Sequence, residues 1–206
     1  MKFKGFSTAA AAGALILSLT ACSGDRMPNS YINDIENSVS ESKNPAYGSM
    51  GMAEIRGKKY DIATTTELNL SYLDLTNEDL IQVGKLVNLT CLGLGGNQIS
   101  DITPLADLRK LRSLGLYKNQ ISDITPLADL TELTSLGLYG NQISDISSLA
   151  NLVNLKELSL QDNQISDISA LADLRDLTDL YLMRNEIKET DLNWLISQLP
   201  DCFIRE

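Results

Sequence analysis

Histidine is absent from the 206-residue chain. That excludes Ser-His-Asp and Cys-His nucleophile systems, His-ligated zinc and an imidazole pH switch. Cysteine is scarce. Cys22, Cys91 and Cys202 form neither a disulfide framework nor a metal cluster. Positive charge is short as well, with 17 Lys+Arg against 27 Asp+Glu and a net charge of −10. Such an excess repels phosphate backbones and argues against a nucleic-acid partner. Leucine has one long gap: none occurs from position 20 to 67, whereas 32 lie between Leu68 and Leu199. The gap divides the chain into parts.

The first part, residues 1–21, carries Lys2 and Lys4, no acid, and an apolar run from Phe6 to Leu19. A basic start followed by a short apolar stretch is the form of a secretory signal. The run ends in Leu19-Thr20-Ala21-Cys22, which resembles a bacterial lipoprotein lipobox. The resemblance implies cleavage before Cys22, acylation of that residue with fatty chains such as palmitate, and attachment to the outer leaflet side of a bacterial cell membrane. One acyl chain holds a protein marginally, at about 0.8 kcal/mol per buried CH₂, whereas two or more anchor it stably. Losing residues 1–21 removes two lysines and no acid, so the remaining chain is still more acidic. Anionic headgroups give it no attraction, and the lipid must be the anchor. Residues 22–53 lack Leu and Phe and are rich in Ser, Asn, Gly and acids. They cannot bury enough apolar surface to offset ordering entropy and are expected to form a flexible tether.

From residue 54 onward the chain repeats itself. Asn97, Asn119, Asn141, Asn163 and Asn185 are spaced by 22 residues. In the same register stand Leu92, Leu114, Leu136, Leu158 and Leu180, and again Leu94, Leu116, Leu138, Leu160 and Leu182. The shared pattern is LxxLxLxxNxI, as in LTSLGLYGNQI at 133–143. Leu-x-Leu is a period-2 strand with both leucines inward. One strand per repeat gives a parallel stack about 4.8 Å apart. The Asn column is expected to satisfy backbone groups where each repeat turns. Thr103-Pro104 and Thr125-Pro126, with Ser147 and Ser169 in the same place, read as N-cap and N1 of short 3₁₀ or helical turns on the convex side.

The motif resembles the leucine-rich repeat, in the 22-residue class of bacterial internalin-like proteins. The implied fold is an α/β solenoid with a parallel sheet on its concave face, short turns on its convex face and a cap at each end. Residues 54–88 would be the N-terminal cap and first repeat, 89–189 the repeats, and 190–206 the C-terminal cap. In the first cap, Ile55 to Ile62 suggests a short strand or hairpin over the sheet edge, and Thr76-x-x-Asp79 a capping box opening a helix to about Leu86. In the last, 191–199 reads as an amphipathic helix stopped by Pro200, with a closing strand around Cys202 and Ile204. Cys91 and Cys202 would then stand about 19 Å apart or more, beyond disulfide reach, and both are expected as free thiols.

Residues flanking the inward leucines face the concave side. Three columns follow: Ser71, Gly95, Tyr117, Tyr139, Gln161, Met183; Asn69, Gly93, Gly115, Gly137, Ser159, Tyr181; and Glu67, Cys91, Ser113, Ser135, Glu157, Asp179. Tyrosines beside a glycine floor suggest a shallow groove, and Tyr is a favoured interface residue. The partner-binding candidates are Tyr117, Tyr139, Glu157, Gln161, Asp179, Tyr181 and Met183. The resemblance implies a binding and adhesion module rather than a catalyst, taking a protein or peptide at the cell envelope or surface, with no cofactor or metal. Residues 111–132 and 133–154 agree at 15 of 22 positions, so a repeated Tyr is also what duplication alone would leave. Two alternatives share the residues. Planar aromatics near carboxylates suit an envelope glycan, and Glu157 beside Asp179 is the pair a carboxylate-based hydrolase would use. Asp101, Asp123, Asp145 and Asp167 form a further column, read as turn caps rather than a calcium site.

Overall fold

The computed structural model describes residues 51–206. The signal segment, Cys22 and nearly all of the tether lie outside the described residues. Seven short parallel strands form one sheet: β3 (Glu67–Asn69), β4 (Cys91–Gly93), β5 (Ser113–Gly115), β6 (Ser135–Gly137), β7 (Glu157–Ser159), β8 (Asp179–Tyr181) and β9 (Phe203–Arg205). They stack in sequence order, and each residue pairs with its counterpart one repeat away: Leu92 with Leu114, Leu114 with Leu136, Leu136 with Leu158. Constant spacing in sequence has become constant register in space. Inside the sheet, the leucines and the Ile99-to-Ile165 column form one buried core that runs the length of the stack.

Each repeat returns through a 3₁₀ turn, as at Thr103–Leu105 and Thr125–Leu127. Here the sequence expectation needs correction. Thr103 and Thr125 lie inside their turns and make no side-chain cap; the residues at the cap position are Ile102 and Ile124. The capping hydrogen bond comes from one residue earlier. Asp101 Oδ1 accepts the Thr103 N–H at 2.8 Å, and Asp123 does the same for Thr125 at 2.8 Å. A carboxylate two residues back reaches the amide more directly than the Thr hydroxyl, which is why the Asp column, rather than the Thr column, closes the turn.

At the front, β1 (Met52–Ile55) and β2 (Lys58–Asp61) form an antiparallel hairpin. Its turn is Arg56-Gly57, both at positive φ (50° and 77°), the geometry that matches strand twist in a two-residue hairpin. The hairpin is a separate sheet. It packs on helix α1 (Asn77–Val83) instead of pairing with β3, and it starts at Met52, two residues inside the segment assigned to the tether. Arg56 fastens it, with its guanidinium 3.2 Å from the Asp79 carboxylate and also donating to the Asp74 carbonyl. Asp79 Oδ2 accepts the Thr76 N–H at 3.0 Å as the capping box requires. The helix stops at Val83, earlier than Leu86. Gly84 follows, and a Cβ there would sit 2.3 Å from the Pro104 carbonyl oxygen, so close packing on the next repeat ends the helix.

At the back, α2 (Glu189–Gln198) buries Leu192 and Leu195 against the last repeat, with Leu199 just beyond. The closing strand extends the sheet as a full parallel member: β9 pairs Phe203 with Asp179 and Arg205 with Tyr181. The inner face therefore has seven strands and not the six that the repeats alone give, a width of about 29 Å.

Candidate functional site

The floor of the concave face is fixed by the Asn ladder. Asn119 Oδ1 accepts the Ile99 N–H at 3.1 Å, while its Nδ2 donates to the Leu94 and Leu116 carbonyls at 3.0 Å each. Asn141 and Asn163 repeat the pattern one and two turns on. All three are buried, and each joins two repeats through groups that would otherwise be unsatisfied. The ladder is structural. It presents the three outward columns in the expected register, with Glu157 opposite Asp179 and Ser159 opposite Tyr181.

The predicted site residues fall into two groups. Tyr117 and Tyr139 stack at 4.9 Å between ring centres with an interplanar angle of 6°. Tyr117 is only 2% exposed, whereas Tyr139 is half-buried. Gly95 explains the descent of Tyr117: a Cβ at Gly95 would lie 2.1 Å from the ring, so the tyrosine lies flat where a side chain is missing. Tyr117 is thus a support for Tyr139 more than a contact surface. The second group, Glu157, Gln161, Asp179 and Met183, is partly exposed, with Tyr181 at 7% among them. The Ser135 hydroxyl donates to Glu157 Oε2 at 3.2 Å, the Thr178 hydroxyl to Asp179 Oδ2 at 2.8 Å, and Ser159 Oγ lies 2.7 Å from Gln161 Oε1.

Four further residues belong to this face. Tyr72, at φ 59° and 53% exposed, places its ring 6.1 Å from that of Tyr117. Lys118 Nζ lies 5.8 Å from the Tyr139 ring centre. Phe203 and Arg205 come from β9, with the guanidinium 5.6 Å from the Tyr181 ring centre and 5.3 Å from that of Phe203. The last two were legible: if Cys202 and Ile204 point inward, Phe203 and Arg205 point outward by alternation. Tyr72 had a fainter signal, being in register with Gly96 just before the Asn column.

That column, Tyr72, Gly96, Lys118, Gly140, Asp162 and Arg184, is left-handed throughout. It has its own packing rule. Tyr72 lies over Gly96, where a Cβ would meet the ring at 2.3 Å, and Lys118 lies over Gly140 at 3.4 Å. Asp162 and Arg184 then pair at 2.7 Å. Away from this rim, Thr90, Lys110, Arg112 and Glu132 line an open hollow of about 460 Å³ on the side where the chain enters the strands.

Cys202 is free and half-buried, and burial together with the nearby Asp179 charge pushes its thiol up to about 11. Cys91 is not free; it is disulfide-bonded. This corrects the expectation of a free thiol at Cys91. The turn carboxylates Asp101 and Asp123 are held below the usual range by hydrogen bonds from the Thr103 and Thr125 side chains and backbones. Asp145 and Asp167 are lowered in the same way, the backbone bonds from Ser147 and Ser169 leading. Among the described residues no three His, Cys, Asp or Glu side chains gather as a metal site.

A parallel sheet of one strand per 22-residue unit, stitched by an Asn ladder and returned by 3₁₀ turns, defines a leucine-rich repeat solenoid. The leucine-rich repeat family model matches twice, at residues 109–151 and 153–197. Internalin C2 of Listeria monocytogenes is 32% identical at a TM-score of 0.54, with 72% of this chain and 74% of that one covered. Internalin F of the same organism is 40% identical at a TM-score of 0.58, covering 60% of this chain and 36% of that one. A leucine-rich repeat protein of Leptospira interrogans matches at 25% identity and a TM-score of 0.50, over 61% of this chain and 39% of that one. The chain therefore spans little more than a third of internalin F but about three quarters of internalin C2. No curated relative matches. The chain belongs to the internalin-like leucine-rich repeat family.

Proposed function

We propose that the protein is a lipid-anchored, extracytoplasmic binding and adhesion module that takes a protein or peptide partner on its concave face at the bacterial cell envelope. The observation that carries this reading is the inner sheet itself. Seven strands in strict register set Tyr139, Gln161 and Met183 in one column beside Glu157 and Asp179 in another, all partly exposed. Solenoids commonly bind on that curved face, and partly buried aromatics framed by polar groups are the usual composition of an interface centre. A face about 29 Å wide gives modest monovalent affinity, which display of many copies on a membrane multiplies. The anchor rests on the Leu-Thr-Ala-Cys22 sequence. No catalytic role is assigned to the Glu157–Asp179 pair.

Immobilised protein probed with envelope protein extract and, separately, with purified wall polysaccharide tests the reading. Replacing Tyr139, Gln161 and Met183 with Ala is expected to abolish capture from the protein extract; replacing convex Asp107 and Asp129 is not. Capture of polysaccharide alone would favour a glycan ligand, for which the stacked Tyr117–Tyr139 pair is the motivating feature. Loss in the convex variant with retention in the concave one would sink the concave site. Cys22→Ala is expected to leave the membrane fraction; recovery there, correctly cleaved, would refute the lipid anchor.

A further inference from the structure

On the edge where the chain enters the strands, two cations and a carboxylate share one hollow. We infer that it is a binding site for a phosphoethanolamine group, whose phosphate lies on Lys110 and Arg112 and whose ammonium lies on Glu132. The site shares no residue with the concave columns, so it goes beyond the concave reading and does not depend on it.

The hollow, of about 460 Å³, is lined by Thr90, Lys110, Arg112 and Glu132. The repeat explains how they meet. Lys110 and Glu132 hold the same place in successive 22-residue units, as do Thr90 and Arg112. Leu111 and Leu133 are buried beside them, so the flanking side chains turn outward to one edge. Neighbouring units set such positions about 4.8 Å apart, where opposite charges ordinarily pair. Here they do not. Lys110 Nζ turns toward the preceding unit and donates to Asn88 Oδ1 at 2.6 Å. Asn88 is itself fixed, its amide donating to the Ile62 and Ala63 carbonyls. The lysine is thus held by a neutral oxygen that leaves its charge uncancelled. Arg112 and Glu132 make no ion pair and no side-chain hydrogen bond among the described residues. The Thr90 hydroxyl donates to the Thr66 carbonyl at 3.1 Å, so the donors facing the hollow are the two cations.

The ligand chemistry follows from these three groups. A guanidinium fork and an ammonium point charge approach a tetrahedral phosphate from different directions, whereas a planar carboxylate is satisfied by the fork alone. Glu132 repels a ligand that is only anionic, and the net charge of −10 repels it before contact. A phosphate with an ammonium two carbons away offsets its charge within the ligand and offers each of the three side chains an opposite charge. The group occurs as a phosphodiester in lipid headgroups and as a monoester in free phosphoethanolamine.

The test uses the full chain, amide NMR shifts and calorimetry, with glycerophosphoethanolamine, free phosphoethanolamine, glycerophosphocholine and inorganic phosphate as probes. Saturable shifts centred on Thr90, Lys110, Arg112 and Glu132 are expected with the first two. Tighter binding of the diester would assign the lipid headgroup as the source, and tighter binding of the monoester the free ester; either supports the site. Arg112→Gln should weaken binding at least about tenfold, as expected for loss of bidentate charge-assisted bonds. Glu132→Gln should weaken both ethanolamine probes yet bind inorganic phosphate as well as the wild type or better. Arg112 and Glu132 are exposed, so both variants keep the fold, which an unchanged urea midpoint checks. The choline probe, whose ammonium has no N–H to donate, should bind more weakly than its ethanolamine counterpart; equal binding would overturn the inference. A wild-type preference for inorganic phosphate would do the same, as would unsaturating shifts spread over Arg109, Lys156 and Arg175.

Discussion

The two halves of the concave face are built from the same repeat and do opposite things with it. From β3 to β6 the outward positions are mostly Gly and Ser, and three tyrosines fold down onto that floor: Tyr72 over Gly96, Tyr117 over Gly95, Tyr139 against Tyr117. The half spends its aromatic surface on itself. From β7 to β9 the same positions carry Glu157, Asp179, Gln161, Met183, Phe203 and Arg205, all at least partly exposed beside the buried Ser159 and Tyr181. Small residues let a neighbour's ring lie flat; large polar ones hold one another off. The first half turns its aromatics onto its own small residues, and the second presents partly exposed polar and charged groups.

The largest effect that sharpens this contrast is in the Asn ladder. Asn119 is 8% exposed, whereas Asn185 is partly exposed at the open end. Asn119→Ala strands the Ile99 N–H and the Leu94 and Leu116 carbonyls in the interior, at about 1–3 kcal/mol for each group left unsatisfied. Asn185→Ala should cost less than half as much, because water reaches the exposed groups. Urea denaturation measures both, and equal costs would mean that the halves do not differ in packing.

The glycine floor comes next. Gly95→Ala puts a methyl 2.1 Å from the Tyr117 ring, an overpacking worth about 1–3 kcal/mol. Ser159→Ala, in the other half, removes only the hydroxyl facing Gln161 and should change the midpoint little. Adding Tyr117→Ala to Gly95→Ala should give a cost well below the sum of the two. Simple additivity would show that the tyrosine does not depend on the missing side chain.

Left-handed positions give a smaller effect of opposite sign. Lys118→Gly relieves a non-glycine residue at φ 51° and should stabilise by up to about 1 kcal/mol. Arg184→Gly relieves the same strain but removes the exposed ion pair to Asp162, so its net change should be near zero. A thermal melt separates them.

The smallest differences lie in pH dependence. The four turn carboxylates have folded values below their unfolded ones. Their contribution is complete above the unfolded value of about 4 and is lost as pH falls through the lowered folded values. Tyr181 is shifted the other way, upward from 10.0. Its contribution is complete below pH 10 and is lost as pH rises through the raised folded value. Stability should therefore fade in acid for the whole array and in alkali at both ends, since burial raises Tyr60 in the front cap as well as Tyr181. Alkaline absorbance titration of wild type against Tyr181→Phe should lose one late-ionising phenol; loss of an ordinary one would contradict the burial of that side chain.

What the sequence determined by itself is everything that a 22-residue period can carry. The strand register, the buried leucine columns, the Asn ladder and the three outward columns all follow from nearest-neighbour stacking, in which each unit repeats the environment of the last. The Asp caps were legible as turn residues, though the hydrogen bond belongs to Asp101 and its repeats and not to Thr103. Only the tertiary structure decided where copies of the same residue diverge. Tyr117 and Tyr139 occupy equivalent positions in nearly identical repeats, yet one is buried and the other half-exposed, because one rests over Gly95 and the other faces Gln161. The hairpin leaves the sheet edge for α1, and β9 joins the sheet as a seventh strand, since an end unit must satisfy its edge with whatever segment reaches it. Periodicity specifies contacts along the stack, while contacts across it depend on which side chain lies beside which gap, a relation between repeats that no single repeat contains.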